Sequence, residues 1–203
     1  LNVMKQALLG NHAEPASLAS IDAWAEFMSI FRERDIPVTL HADLGNDEEP
    51  TKFLYLMNHV LASYPDNKIV WAHMGLSKEL TTMDAREHVR LMSQRLDQYP
   101  NLYLDISWDV IYNAYHRWGD IFIAFFNEYS TRILPGSDFV AAASKTWEMY
   151  AHELEVTSRA LRFLDDDAFR NIALGQNYFD LMNLPYEAPK LCQTSDSIAS
   201  LRP

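Results

Sequence analysis

Three features of the 203-residue chain predict an α/β fold on a parallel sheet: short, evenly apolar runs that recur, helical patterns between them, and nearly constant spacing. The runs are IPVTL from Ile36, KIVWA from Lys68, NLYLDI from Asn101 and RIL from Arg132. Each is too short and too uniformly apolar for a half-exposed strand, so all four read as strands buried on both faces. With Ile36, Ile69, Leu102 and Ile133 taken as equivalent, the intervals are 33, 33 and 31 residues. A (β/α)8 barrel of roughly 250 residues devotes about 31 to each unit. An open doubly wound sheet is the alternative. It is weakened by a count of only six glycines and by the absence of GxGxxG or a P-loop pattern after any run.

The elements follow in order. Ile21, Trp24, Phe27, Met28 and Phe31 keep the 3-and-4 spacing of a helix ahead of the first strand. Phe53, Leu56, Met57, Val60 and Leu61 do so between the first and second strands, and Val89, Met92 and Leu96 between the second and third. After the fourth strand, residues 145–164 read as a helix with Trp147, Tyr150, Ala151 and Leu154 on one face. The run Asp165-Asp166-Asp167 then caps a helix through Phe169 and Ile172. Residues 185–203, with Pro185, Pro189 and several serines, read as a C-terminal extension. Residues 1–184 thus supply four strand-helix units, half a barrel. Half a barrel has open strand edges that must be paired or covered. The chain is therefore expected to be the C-terminal part of a longer one, or to associate with another copy.

Composition narrows the function classes. The formal net charge is -11, with 28 acids against 17 Lys and Arg, so nucleic-acid phosphates and anionic membranes are repelled on average. No apolar run reaches the length of a membrane helix. The single Cys192 excludes an internal disulfide and a multi-thiolate metal site, which fits a reducing compartment; a cytoplasmic location is the expectation, and any targeting segment is absent or lay upstream of Leu1. A small-molecule substrate is the expected partner.

In parallel α/β folds the reactive groups gather at the C-terminal ends of the strands. Those positions here hold His41 in VTLHADLG, His73 in WAHMGLS, Asp105 or Ser107 in LYLDIS, and Asp138 in ILPGSDFVAA. Asp138 stands among apolar or small residues, where burial would make its charge costly unless something offsets it. Each residue has a plainer reading alone. His73 can meet a loop carbonyl, and Asp138 can cap the helix that follows. Together, two imidazoles and a carboxylate at one barrel mouth form a donor set for zinc or a related divalent ion acting on water. Asp43 can orient His41 or stand as a solvated loop acid. His12, His59, His88, His116 and His152 fall in loops or helices and read mostly as surface or packing residues. Trp108, Tyr112 and Trp118 either wall a pocket or pack in the core.

The strand-end His of VTLHADLG, the His-x-Gly of WAHMGLS, the GSDF after the last strand and the ALGQNYFDLMNL segment occur in an order that resembles the amidohydrolase superfamily, specifically its amidohydrolase-2 group. The resemblance runs from about Ile36 to Leu184 and implies a metal-dependent (β/α)8 barrel of which these are strands five to eight. It implies His41 as a metal ligand and His73 as a second ligand or as general base and transition-state stabiliser. Asp138 would be a ligand that also takes a proton from the attacking water. Zinc is the metal expected. The implied activity is hydrolysis of a C–N or C–O bond in an amide, cyclic amide, ester or lactone. Decarboxylation on the same scaffold and a catalytically silent binding module are the alternatives. The family's His-x-His at the end of strand one has no counterpart, because no such pair occurs in the chain.

Overall fold

The computed structural model describes residues 16–77, 80, 82–107, 115–139 and 145–191, with the backbone alone at 115–118. It opens with α1 (Leu18–Asp22) and α2 (Ala25–Glu33), where periodicity predicts one helix. Ser17 and Ser20 form a capping box that starts α1. The break follows from competition for the Ile21 carbonyl, which accepts from Trp24 N–H at 3.0 Å and from the Tyr64 hydroxyl at 2.5 Å. The order continues through β1 (Val38–Leu40), α3 (Leu54–Ser63), β2 (Ile69–Trp71), α4 (Ala85–Gln98), β3 (Leu102–Asp105), α5 (Tyr115–Glu128) and β4 (Ile133–Leu134). Then come α6 (Trp147–Leu161), α7 (Asp166–Ala168), a π-helical turn (Phe169–Ala173) and α8 (Gln176–Leu181).

The strands form one parallel sheet in the order β1-β2-β3-β4. Each crossover therefore steps to the next neighbour in one direction, as in a barrel wall; a doubly wound sheet would reverse direction. Register pairs Val38 with Ile69, Ile69 with Leu102, and Leu104 with Ile133. Two of the residues taken as equivalent are thus displaced by one pleat. Ile36 precedes β1 and is 40% exposed, and Val38 holds its register position. Ile133 meets Leu104 rather than Leu102.

Burial on both faces holds for β2 and β4 and fails in β1 and β3: Thr39 is exposed, and Tyr103 and Asp105 are half-buried. The reason is the unequal covering of the sheet. One face, carrying Val38, Leu40, Ile69, Trp71, Leu102 and Leu104, lies in the main core with the helices. The other bears only a small cluster of Val70, Leu134 and Tyr103, capped by Leu181 of α8.

The face of α6 also differs from expectation. Trp147 is 71% and Leu154 45% exposed, whereas Ala160 and Leu161 are buried. Only the C-terminal turns of this helix reach the core, alongside the π-helical turn. The acidic run behaves as read, with Asp165 accepting from Ala168 N–H at 2.8 Å to cap α7.

Asn177 explains the last motif of the chain. Its Nδ2 donates to Ser130 O at 2.6 Å and Ile133 O at 2.7 Å, fastening α8 to the turn before β4 and to the strand itself. Asn177→Ala leaves two carbonyls without this donor, at a residue only 4% exposed. It is expected to cost about 2 kcal/mol, read as a lower urea midpoint with an unchanged slope.

Candidate active site

His41 follows β1 directly, its side chain 26% exposed, and Asp43 lies two residues on with its side chain 1% exposed. Asp43 is therefore not a solvated loop acid. Its Oδ1 stands 3.9 Å from His41 Nδ1, near enough for attraction and too far for a hydrogen bond. Two bonds tie this segment to the end of β2: Trp71 Nε1–H donates to Ala42 O at 2.6 Å, and Leu44 N–H to Gly75 O at 2.8 Å.

After β2 the backbone turns through left-handed geometry at three successive residues: His73 (φ 56°), Met74 (φ 49°) and Gly75 (φ 74°). Glycine alone fits the third position, because a Cβ there would lie 2.7 Å from both Leu44 and the Trp71 ring. The two non-glycine residues store strain of about 1–3 kcal/mol each. Buried His88 steadies the turn by donating from Nε2 to Met74 O at 2.8 Å. Burial pushes the His88 imidazole down to about 4, against the opposing pull of that carbonyl. His88 is a packing residue, as read from sequence.

The strained turn places His73 under the mouth of the sheet, 4% exposed. Its Nδ1 lies 2.9 Å from Ser107 Oγ and 3.6 Å from Asp105 Oδ1, and so it meets a hydroxyl rather than a loop carbonyl. Its Nε2 lies 3.9 Å from Asp138 Oδ2. The His41 ring approaches edge-on, with centroids 4.9 Å apart and planes at 72°. Three residues from three strand ends thus come together. Asp138 sits four residues beyond β4 with its side chain 39% exposed and φ at 52°. The cost of burying its charge does not arise, since the carboxylate reaches solvent at the rim.

Imidazole and carboxylate are suitable donors for a divalent ion, and an open catalytic site uses three protein ligands. Among the described residues, however, no three such side chains converge on one point. His41, His73 and Asp138 therefore match in chemistry and position, while the set is incomplete as a cage. His59 pairs with Asp22 at 2.6 Å on the surface, and His152 is exposed. His12, Trp108 and Tyr112, and the side chains of His116 and Trp118, lie outside the described residues.

Sequence reasoning missed an aromatic group beside Asp138. Phe139 contacts Tyr150 at 5.0 Å, Tyr150 contacts Trp147 at 5.7 Å, and Lys145 Nζ lies 4.4 Å from the Phe139 ring centre. The signal lies in Trp147 and Tyr150, which the helical spacing puts on one face of the helix after β4.

A sheet of sequentially ordered parallel strands, with histidine and aspartate at successive C-terminal ends, defines a TIM-barrel type of site. The family model described as Amidohydrolase matches residues 5–177, and the chain belongs to that family. A crystal structure of an uncharacterised TIM-barrel protein from Bordetella bronchiseptica is similar, with 21% identity and a TM-score of 0.55. The match covers 81% of this chain and 52% of that one, so the chain spans about half the length of its structural neighbour. No curated protein gives a significant match. Among the described residues, no helix is long and apolar enough to cross a membrane.

Proposed function

We propose that the protein is a metal-dependent hydrolase that opens a C–N or C–O bond of a small amide, cyclic amide, ester or lactone with an activated water. The observation that carries this reading is His73 Nε2 facing Asp138 Oδ2 at 3.9 Å, with the His41 ring against His73, at three strand ends. Membership of the amidohydrolase family supports it. His41 and Asp138 would hold the ion, zinc by the donor set, with His73 beside it or as a third ligand. A bound divalent ion lowers the pKa of water toward about 7 and polarises a carbonyl. Asp138, exposed at the rim, accepts the proton of the attacking water and can return it to the leaving group. His73, buried and held at Nδ1 by Ser107, turns Nε2 toward this centre, where it serves as a ligand or a proton acceptor. The incomplete cage requires further ligands from residues outside those described here, in keeping with a chain about half the length of its neighbour.

Metal analysis of the protein purified without chelator should give about one zinc per chain, lost in His41→Ala. The loaded protein should open dihydrocoumarin, followed by absorbance, without releasing CO2 from 2-hydroxybenzoate. CO2 release alone would replace hydrolysis with decarboxylation. Absence of both metal and turnover would leave a binding module.

A further inference from the structure

We infer that Asp105 and Ser107 form a positioning relay that holds His73 in one tautomer, with the proton on Nδ1 and the lone pair of Nε2 turned toward Asp138. The bearing of this on catalysis rests on the function proposed above; the proton count does not.

The argument is one of donors and acceptors. Asp105 Oδ1 receives the His73 backbone N–H at 3.2 Å, the Ser107 backbone N–H at 3.1 Å and the Ser107 hydroxyl in a short contact. An oxygen approached by three donors acts as an acceptor only. A serine hydroxyl has a single proton, and Ser107 directs it to Asp105, so toward His73 its oxygen can only accept. The proton between Ser107 Oγ and His73 Nδ1, 2.9 Å apart, therefore belongs to the imidazole. The Asp105 carboxylate 3.6 Å from Nδ1 adds attraction of the same sense; Asp138, 3.9 Å from Nε2, pulls the other way, but it is farther off and more exposed to water.

The fold fixes the relay from three sides. The left-handed turn sets the His73 amide against Asp105. Ser107 is 3% exposed, one residue past the fully buried Ile106. Gly136 closes the other flank, because a Cβ there would stand 2.6 Å from Asp105 Oδ2 and 3.0 Å from the Ser107 Cβ. The glycine of the GSD motif is thus required by the carboxylate on the neighbouring strand end, so the carboxylate cannot swing away from Ser107. Free histidine prefers its proton on Nε2; a relay that reverses this preference presents Nε2 as a base or ligand without a conformational step.

The test is nitrogen NMR of 15N-histidine-labelled protein at pH 8, with the His73 signals assigned by their loss in His73→Gln. Spectra are taken with and without EDTA, so that any bound metal is separated from the effect of the relay. The wild type is expected to show a protonated Nδ1 and an unprotonated Nε2 under both conditions. Asp105→Ala frees the Ser107 proton to turn toward Nδ1 and is expected to move the imidazole proton to Nε2. Asp105→Asn keeps an acceptor oxygen and should retain the wild-type pattern. In dihydrocoumarin opening, Asp105→Ala should lower kcat about ten- to a hundredfold with little change in KM, and Asp105→Asn should restore most of it. An Nε2-protonated wild type, or an unchanged tautomer in Asp105→Ala, would overturn the relay. Because the tautomer is read without substrate, the relay can stand if the hydrolase reading fails, and the reverse.

Discussion

Replacing Asp138 with asparagine should lower turnover about a thousandfold while leaving unfolding within about 0.5 kcal/mol of wild type. The separation of the two effects comes from local geometry. Asp138 has φ at 52°, in the left-handed region that glycine, asparagine and aspartate enter most readily. Asparagine keeps the shape and the backbone tolerance and removes only the charge. Alanine would add backbone strain of about 1 kcal/mol and blur the result. The Asp138 side chain is 39% exposed, so its charge is hydrated and contributes little to folding. In the proposed hydrolysis its loss would be felt at His73 Nε2, 3.9 Å away, and in the acceptance of the water proton. Dihydrocoumarin opening and urea unfolding, measured on the same preparation, give both numbers. Retained turnover in Asp138→Asn would remove this residue from the chemistry.

Where the sequence was legible, one physical cause acted alone. Ile69-Val70-Trp71 is apolar on both faces because both faces are buried, and it lies where it was placed. The recurrence of strands and helices required only a period, and the parallel sheet in sequential order follows from it. The strand ends followed in turn: His41, His73 and Asp138 come together because the C-terminal ends of β1, β2 and β4 lie at one edge of the same parallel sheet. Errors arose where two causes competed. Ile36 looked equivalent to Ile69 by composition, yet the chain enters the sheet only at Val38. Trp147 and Leu154 have helical spacing, but α6 extends beyond the core and reaches it with Val156, Ala160 and Leu161 toward its end.

The site was legible in its residues and not in their bonds. Nothing in WAHMGLS announces that His73 and Met74 are left-handed, since that conformation comes from Gly75 packed on Leu44 and Trp71 and from a histidine 14 residues away. Asp105 and Ser107 stood out as strand-end residues without a role. Their role depends on the Ser107 hydroxyl lying between a carboxylate and an imidazole, a through-space relation across two strands. Gly136 likewise reads as a loop glycine until the carboxylate beside it is seen.

That same distant histidine yields a stability effect with a definite sign. His88 is 2% exposed and neutral in the folded protein, its Nε2–H held by Met74 O at 2.8 Å and its ring set edge-on to Phe122. Protonation would bury a cation among apolar groups, so burial pushes its pKa to about 4 from the ordinary 6.5. Above pH 6.5 the imidazole is neutral both folded and unfolded, and folding is indifferent to it. Between 6.5 and 4 the unfolded chain binds a proton that the folded one refuses, so stability falls as pH falls. At about 1.4 kcal/mol for each tenfold difference in proton affinity, the loss across that interval is about 3 kcal/mol. Below about 4 both states are protonated and the slope ends. Many carboxylates titrate over the same range, so the measurement is a difference. His88→Gln retains an N–H donor for Met74 O and has no proton to gain. Urea unfolding from pH 7 to pH 4 should show the wild type losing about 3 kcal/mol more than this variant. Parallel profiles would mean that His88 takes up its proton as readily in the fold as in the open chain, and that the turn carrying His73 does not depend on a neutral imidazole beneath it.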